Sequence, residues 1–300
     1  MPELPEVETV RRGLEPVLVG NAFVRVEQRR PDLRFPLPAR FGQRLTGRAI
    51  ESLDRRAKYL LARLDDGQVL IMHLGMTGRF TIDKPDGDTN APGDFVHAPT
   101  KVHEQGPASK HEHIVFHLGD GSTVRYSDVR RFGIMDLAAA GALENHAFFR
   151  GLGVEPLGDA LNAEWLAGKL KGKTTSIKAA LLDQRLIAGL GNIYVCEALY
   201  RSGITPLKRA GLLATKTGRP TEKTTALVQS IKSVLNDALR SGGSSLRDYR
   251  HTDGGLGYFQ HSFRTYGREG EPCLGDACHG TVRRIVQGGR STFYCPICQK

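Results

Sequence analysis

Pro2 is followed directly by Glu3 and, one helical turn later, by Glu6, in the opening Met1-Pro2-Glu3-Leu4-Pro5-Glu6-Val7-Glu8. If Met1 is cleaved, as is usual before a small residue, proline becomes the first residue and its nitrogen a secondary amine. Such an amine can attack a sugar or carbonyl carbon and form an iminium. An α-amino group titrates near about 8, so much of it is unprotonated at neutral pH; a lysine, near about 10.4, needs burial or a neighbouring cation to match it. Glu3 and Glu6 are near enough to manage the protons of the amine or of a leaving group. The same residues also make an ordinary helix start. Pro5 would sit at the first helical position, acids fill the first turn, and Val7, Val10 and Leu14 give a buried stripe. The segment alone does not choose between the two readings.

Four of the five cysteines lie in the last 28 residues, as Cys273-x4-Cys278 and, after sixteen residues, Cys295-x2-Cys298. Two such pairs can supply four thiolates to one tetrahedral Zn²⁺ from a β-hairpin. With every position filled by protein, the site reads as structural, holding a segment too small to fold unaided. Arg283, Arg284 and Arg290 share that hairpin and suit phosphate. Cys196 falls on a helix face and reads as packing.

Gly189-Leu190-Gly191-Asn192 lies between two helical patterns. Glycines there allow a close backbone approach, and the next helix start offers free N–H groups to an anion. A plain tight turn is the other reading. His73-Leu74-Gly75-Met76-Thr77-Gly78 and Arg130-Arg131-Phe132-Gly133 form a further pair. An enzyme that extrudes a base from a duplex must fill the hole, and apolar wedges and arginine do so. Met76, Arg130 and Phe132 have that character, although Met and Phe at such spacing also read as core. His111, His113 and His117 alternate with Ile114, Phe116 and Leu118, the pattern of a solvated strand face rather than a ligand set.

The elements that must position these groups follow from periodicity. Up to about residue 138 the chain is β-rich after its first helix, with alternation in 22–26, 59–64 and 68–72. Asp65-Asp66-Gly67 and Gly119-Asp120-Gly121 mark hairpin turns. Residues 145–241 read as helical. Thr221 starts a helix with an apolar face of Leu227, Ile231, Val234, Leu235 and Leu239, closed by Gly242; Ser176–Ile187 is another, and Asn192 caps a third running to Tyr200. Residues 83–110 read as a long exposed insertion and 242–257 as a Gly/Ser-rich loop. The fold class expected is α+β.

The 300 residues carry a formal net charge of +10, and between Arg25 and Lys58 ten Lys or Arg face four Asp or Glu. A basic surface of this size favours a polyanion, nucleic acid first. No apolar run approaches the roughly 18 residues of a membrane span, and no basic-then-apolar leader opens the chain, so a cytosolic or nucleoid location is expected.

Together these motifs resemble one family, the bacterial formamidopyrimidine-DNA glycosylases, also called 8-oxoguanine DNA glycosylases. The resemblance runs from Pro2-Glu3-Leu4-Pro5-Glu6-Val7-Glu8-Thr9-Val10 through Lys58 in Arg56-Ala57-Lys58-Tyr59 and the segments 73–78, 128–133 and 191–194. It ends in Gly289-Arg290-Ser291-Thr292-Phe293-Tyr294-Cys295. It implies an N-terminal helix on a two-layer β-sandwich over 1–138, a linker over 139–150 and a helix–two-turns–helix domain with a lesion-capping loop over 151–260. A β-hairpin zinc finger over 261–300 completes it.

The resemblance also implies roles. Pro2 attacks C1′ of the damaged nucleotide, Glu3 is the acid that opens the deoxyribose and later shuttles protons, and Glu6 positions the amine. Lys58, counted with this catalytic set, contacts phosphate near the lesion, and His73 is a further DNA contact. Met76, Arg130 and Phe132 fill the void, Arg130 pairing with the orphaned cytosine. Asn192 and Arg290 bind backbone phosphate, and Cys273, Cys278, Cys295 and Cys298 hold one structural Zn²⁺ with no organic cofactor. The partner implied is damaged double-stranded DNA, engaged by a monomer, with no membrane. The chain departs from the family in the x4 cysteine spacing, in Val129 where proline is usual, and in the 83–110 insertion. Two alternatives stand: an endonuclease VIII-type glycosylase for oxidised pyrimidines, and a non-catalytic zinc-containing protein that binds damaged DNA.

Overall fold

The computed structural model describes residues 2–90, 92, 110–244 and 259–300. Met1, most of the 83–110 insertion and most of the Gly/Ser-rich loop lie outside the described residues. The chain divides into two compact units, one of residues 1–150 with 241–258, the other of 151–240 with 259–300.

The first unit begins with helix α1, Leu4–Leu18, in which Leu4, Val7, Val10, Leu14 and Leu18 form the buried stripe. The helix starts one residue earlier than expected, placing Pro5 at its second position, and Glu3 and Glu6 form a capping box. Among the described residues a short helix, α2 Phe41–Leu45, and nine strands follow: β1 Phe23–Gln28, β2 Ile50–Arg56, β3 Tyr59–Leu64, β4 Gln68–His73, β5 Gly78–Asp83, β6 Thr89–Asn90, β7 Glu112–Leu118, β8 Thr123–Asp128 and β9 Ile134–Ala139. They form two antiparallel sheets, ordered β1-β7-β8-β5-β6 and β2-β3-β4-β9. A single core joins α1 to both inner faces through Val10, Leu14, Phe23, Leu60, Phe80 and Phe116, among others. Each such fully buried Leu or Phe contributes ~1.5–3 kcal/mol relative to leaving it exposed. The outer face of the second sheet is also covered: Leu61, Val69 and Ile71 lie under Leu143, Phe148 and Phe149.

Both expected hairpin turns are present, between β3 and β4 and between β7 and β8. The histidine reading needs correction. His117 lies on the partly solvated face and bonds Glu27 at 2.9 Å, but His113 is 2 % exposed and its Nε2 lies 2.8 Å from the Asp128 carbonyl. The register of β7 shifts between Glu112 and Ile114, so the simple alternation breaks at His113.

On the face turned from the core, Glu27 accepts from Arg29 at 2.8 Å and also pairs with Arg25. Hydrogen bonds from Arg29 and then His117 pull its carboxyl down to about 2, against a small opposing effect of burial. A depressed carboxyl stabilises the fold above its unfolded value and loses that contribution as pH falls. Glu27→Gln should therefore lower the melting temperature at neutral pH, and the gap to the parent should close between pH 4.5 and about 2. A gap that stays constant across a pH series of thermal melts would remove the assignment.

The second unit contains α3 Ala163–Leu170, α4 Ile177–Leu182, α5 Asn192–Arg201 and α6 Glu222–Arg240, then the hairpin β10 Arg283–Gln287 and β11 Arg290–Tyr294. Thr221 and Thr224 exchange capping bonds at the start of α6, whose buried face includes Leu227, Ile231, Val234 and Leu235. Helix α4 is shorter than the spacing predicts. After Leu182 the chain turns, and the Gln184 side chain ties that turn to the Leu190 carbonyl and the Gly189 amide at 2.8 and 2.9 Å. Among the described residues no helix is long and apolar enough to cross a membrane.

Candidate functional site

In the first unit, Pro2, Glu3 and Glu6 are all buried at the start of α1. The Glu6 carboxylate is the organiser. One oxygen accepts the Glu3 amide at 2.9 Å, and the other accepts the Ser244 amide and hydroxyl, each at 2.9 Å. Glu6 thus fixes the backbone beside Pro2 to the root of the Gly/Ser-rich loop, 238 residues away in sequence. Glu3 sits at the positive end of the helix, where a carboxylate is favoured.

Lys58 occupies the second position of the two-residue loop between β2 and β3. Ala57 before it has φ 53°, a left-handed conformation that costs a non-glycine residue of order 1 kcal/mol. The turn delivers a lysine that is only 6 % exposed. His73, paired across the sheet with Tyr59, feels that charge. Burial, then Lys58, then Arg34 push its pKa down to about 4, so the ring is neutral near pH 7. Its Nδ1 accepts the Gly75 amide at 2.9 Å, which leaves the proton on Nε2 as a neutral donor.

Met76 lies in the turn after β4, and Arg130 and Phe132 in the loop after β8. The structure brings the two loops together. A Cβ on Gly75 would come 2.4 Å from the Phe132 backbone, and one on Gly133 would overlap the Tyr126 hydroxyl, so both positions require glycine. Asp128, fully buried, is the hub. Its Oδ1 accepts from the Thr77 hydroxyl at 2.5 Å and the Arg130 amide at 3.2 Å; its Oδ2 accepts from the Gly133 amide at 2.7 Å and the Tyr126 hydroxyl at 3.4 Å. Around that carboxylate the loop turns through Arg131 at φ 57° and leaves Arg130 and Phe132 exposed, the guanidinium 4.6 Å above the Phe132 ring. Asp128 and Ser244 were missed as site-building residues. The signal for Asp128 was an acid at the end of a strand just before the Arg-Arg-Phe-Gly turn; no local signal links Ser244 to Glu6.

In the second unit, Asn192 does not cap α5; Gly191 does. The Asn192 amide instead donates to the Ser291 carbonyl at 2.8 Å, and its own oxygen is buried without a hydrogen-bond partner among the described residues. The fully buried Lys178 ammonium donates to the Thr292 hydroxyl at 2.5 Å and to the same Ser291 carbonyl at 3.3 Å. Two helix starts therefore hold the beginning of β11, where Arg290 is exposed.

The four cysteine sulfurs lie within 4.8 Å of one another, with Cys273–Cys298 at 3.6 Å and Cys278–Cys295 at 3.8 Å. A tetrahedron with metal–sulfur bonds of about 2.3 Å has edges of about 3.8 Å, so the set fits one metal ion such as zinc. A Cβ on Gly280 would come 2.7 Å from the Cys295 sulfur, which shows how closely the backbone wraps the cluster. The x4 spacing brings both of its sulfurs to the cluster.

Residues 1–135 match the formamidopyrimidine-DNA glycosylase N-terminal domain and residues 152–250 the formamidopyrimidine-DNA glycosylase H2TH domain. Formamidopyrimidine-DNA glycosylases of Methylobacterium nodulans and Rhizobium meliloti are each 57% identical to the chain, covering all of it and 99% and 100% of their own lengths. The Lactococcus lactis Fpg bound to DNA containing an abasic site superposes with a TM-score of 0.82 at 33% identity over the full length of both chains. The wild-type Lactococcus lactis enzyme bound to DNA containing an oxidised pyrimidine gives the same TM-score, identity and coverage.

Proposed function

Because the chain belongs to the formamidopyrimidine-DNA glycosylase family, we propose that it is a bifunctional base-excision repair enzyme acting on damaged duplex DNA. It removes oxidised purines, 8-oxoguanine and formamidopyrimidines, and then cuts the strand at the abasic site. The observation that carries this reading is the start of α1: Pro2 and Glu3 buried together, with Glu6 joining their backbone to Ser244. Once Met1 is removed, the Pro2 nitrogen lone pair forms a bond to C1′. The damaged base leaves with the glycosidic electron pair and takes up the proton that the Pro2 nitrogen gives up. Glu3 protonates the ring oxygen as the sugar opens, giving a C1′ iminium. The iminium acidifies C2′; loss of that proton expels the 3′ phosphate, and a second elimination expels the 5′ phosphate.

The other groups bind and orient. Lys58 contacts phosphate near the lesion, neutral His73 is a further DNA contact, and Asn192 and Arg290 bind backbone phosphates. Met76, Arg130 and Phe132 fill the vacated stack, with Arg130 directed at the orphaned cytosine. The four cysteines hold one structural Zn²⁺, which folds the hairpin that carries Arg290. Phosphate contacts supply the salt-sensitive part of affinity, the wedge the selectivity. The chain acts as a monomer in the bacterial cytoplasm, on nucleoid DNA.

A pyrimidine-directed activity is a second reading, favoured by the Lactococcus lactis neighbour with oxidised pyrimidine DNA. Single-turnover excision from 8-oxoguanine·C and thymine-glycol duplexes separates the two. Faster release of 8-oxoguanine is expected; a clear preference for thymine glycol overturns the purine assignment.

A further inference from the structure

Four thiolates on one divalent cation leave a net charge of −2, and donors around the sulfurs offset it. Here the Gly275 amide lies 3.4 Å from the Cys273 sulfur and the Gly280 amide 3.4 Å from the Cys278 sulfur. Cys273 has a second such neighbour of a different kind, the Tyr200 hydroxyl at 3.2 Å. A metal-bound thiolate carries no proton, so in that pair the hydroxyl must be the donor.

The hydroxyl is held in place by its helix. Tyr200 lies in the last turn of α5, three residues after Glu197 and therefore on the same side. The Glu197 carboxylate is fully buried and accepts the amides of Arg264, Thr265 and Tyr266 at 2.8–2.9 Å. Arg264 donates to the Leu274 carbonyl at 3.0 Å, and Arg268 to the Pro272 carbonyl at 3.2 Å. The backbone on both sides of Cys273 is thus braced from the segment that α5 anchors. Gly275 completes the fit: a Cβ there would come 3.0 Å from the Cys298 sulfur and 3.4 Å from the Tyr200 hydroxyl. The longer x4 knuckle lies against Tyr200 because this position has no side chain.

We propose that Tyr200 is a positioning residue of the metal site. By donating to Cys273 it strengthens metal retention and couples the knuckle to α5, the helix that begins at Asn192. The proposal rests on the reading of the four cysteines as a zinc site.

Tyr200→Phe tests it, since the ring and its packing are kept and only the hydroxyl is lost. Zinc affinity, measured by competition with a chromogenic chelator, should fall about 10–100-fold, the usual cost of losing an outer hydrogen bond to a ligand. In the cobalt-substituted full-length protein, the thiolate-to-metal charge-transfer band should move to lower energy, because the sulfur has lost its hydrogen bond. Far-UV circular dichroism in excess zinc should match the parent. Parent-like affinity, or weakened affinity with an unmoved band, overturns the proposal, the second outcome assigning Tyr200 to packing alone. Metal analysis of the parent protein separates this from failure of the zinc reading, which would appear as no bound zinc in the parent itself.

Discussion

Protein that retains Met1 should give no borohydride-trapped adduct with an 8-oxoguanine duplex, while protein beginning at Pro2 should trap. In the retained form the proline nitrogen is part of a tertiary amide. Its lone pair is delocalised and no proton can be exchanged, so the iminium cannot form. The expected loss of strand cleavage is on the order of 10⁶-fold, the scale reached when a covalent nucleophile is deleted. Intact-mass measurement identifies the two forms in one preparation, and the trapped fraction should equal the processed fraction. Trapping by the Met1-retaining form would end the mechanism. Glu3→Gln is the companion test. Its side-chain oxygen can still accept at the start of α1, so the capping box survives while the acid is lost. Turnover should fall about 10²–10⁴-fold, the range for general acid catalysis, with little change in melting temperature. Parallel loss of rate and stability would instead make Glu3 a helix cap alone.

What the sequence revealed, and what it hid, divides along physical lines. Local patterns were legible: the two hairpin turns, the apolar stripe of α6 and the two cysteine pairs all depend on residues within a few positions of each other. The side-chain partnerships that build the sites were not. Glu6 with Ser244, Lys178 with Thr292 and Tyr200 with Cys273 each join distant parts of the chain, and no spacing announces them. His113 was misread because one register shift defeats a period of two. Asn192 was misread for a related reason: asparagine at a helix start is a good cap, but a tertiary acceptor, the Ser291 carbonyl, competes for it. The family resemblance assigns Arg130 and Phe132 to a wedge without indicating what keeps their loop in shape.

That shape rests on Asp128, and its removal is expected to have the largest effect on stability. The carboxylate gathers four donors in a fully buried site, from Thr77, Arg130, Gly133 and Tyr126. Hydrogen bonds to a charged group contribute about 1.5–3 kcal/mol each, and deleting the acceptor leaves buried donors unsatisfied. Burial and the neighbouring carboxylate hold the Tyr126 hydroxyl well above its ordinary pKa, so it stays protonated and keeps its need for an acceptor. Asp128→Ala should cost ~3–5 kcal/mol, as for other broken buried charge networks, or roughly 6–20 °C in melting temperature for a unit of this size. Asp128→Asn keeps one acceptor but turns an NH₂ toward either the Thr77 hydroxyl or the Gly133 amide, so it should be nearly as damaging. Thr77→Val loses only the hydroxyl that bridges Asp128 and Arg130 and should cost less, about 1 kcal/mol. The wedge gives a second, independent readout. With the 129–133 turn released, the Phe132 backbone is no longer held against Gly75 and the Arg130 amide loses its tie to Asp128, and affinity for an abasic-site duplex should fall even where the variant remains folded. Unchanged melting together with unchanged abasic-site affinity for Asp128→Ala would show that the loop is shaped by Gly75 and Gly133 alone. Unchanged melting with weakened affinity would place the role of Asp128 in the wedge rather than in the fold.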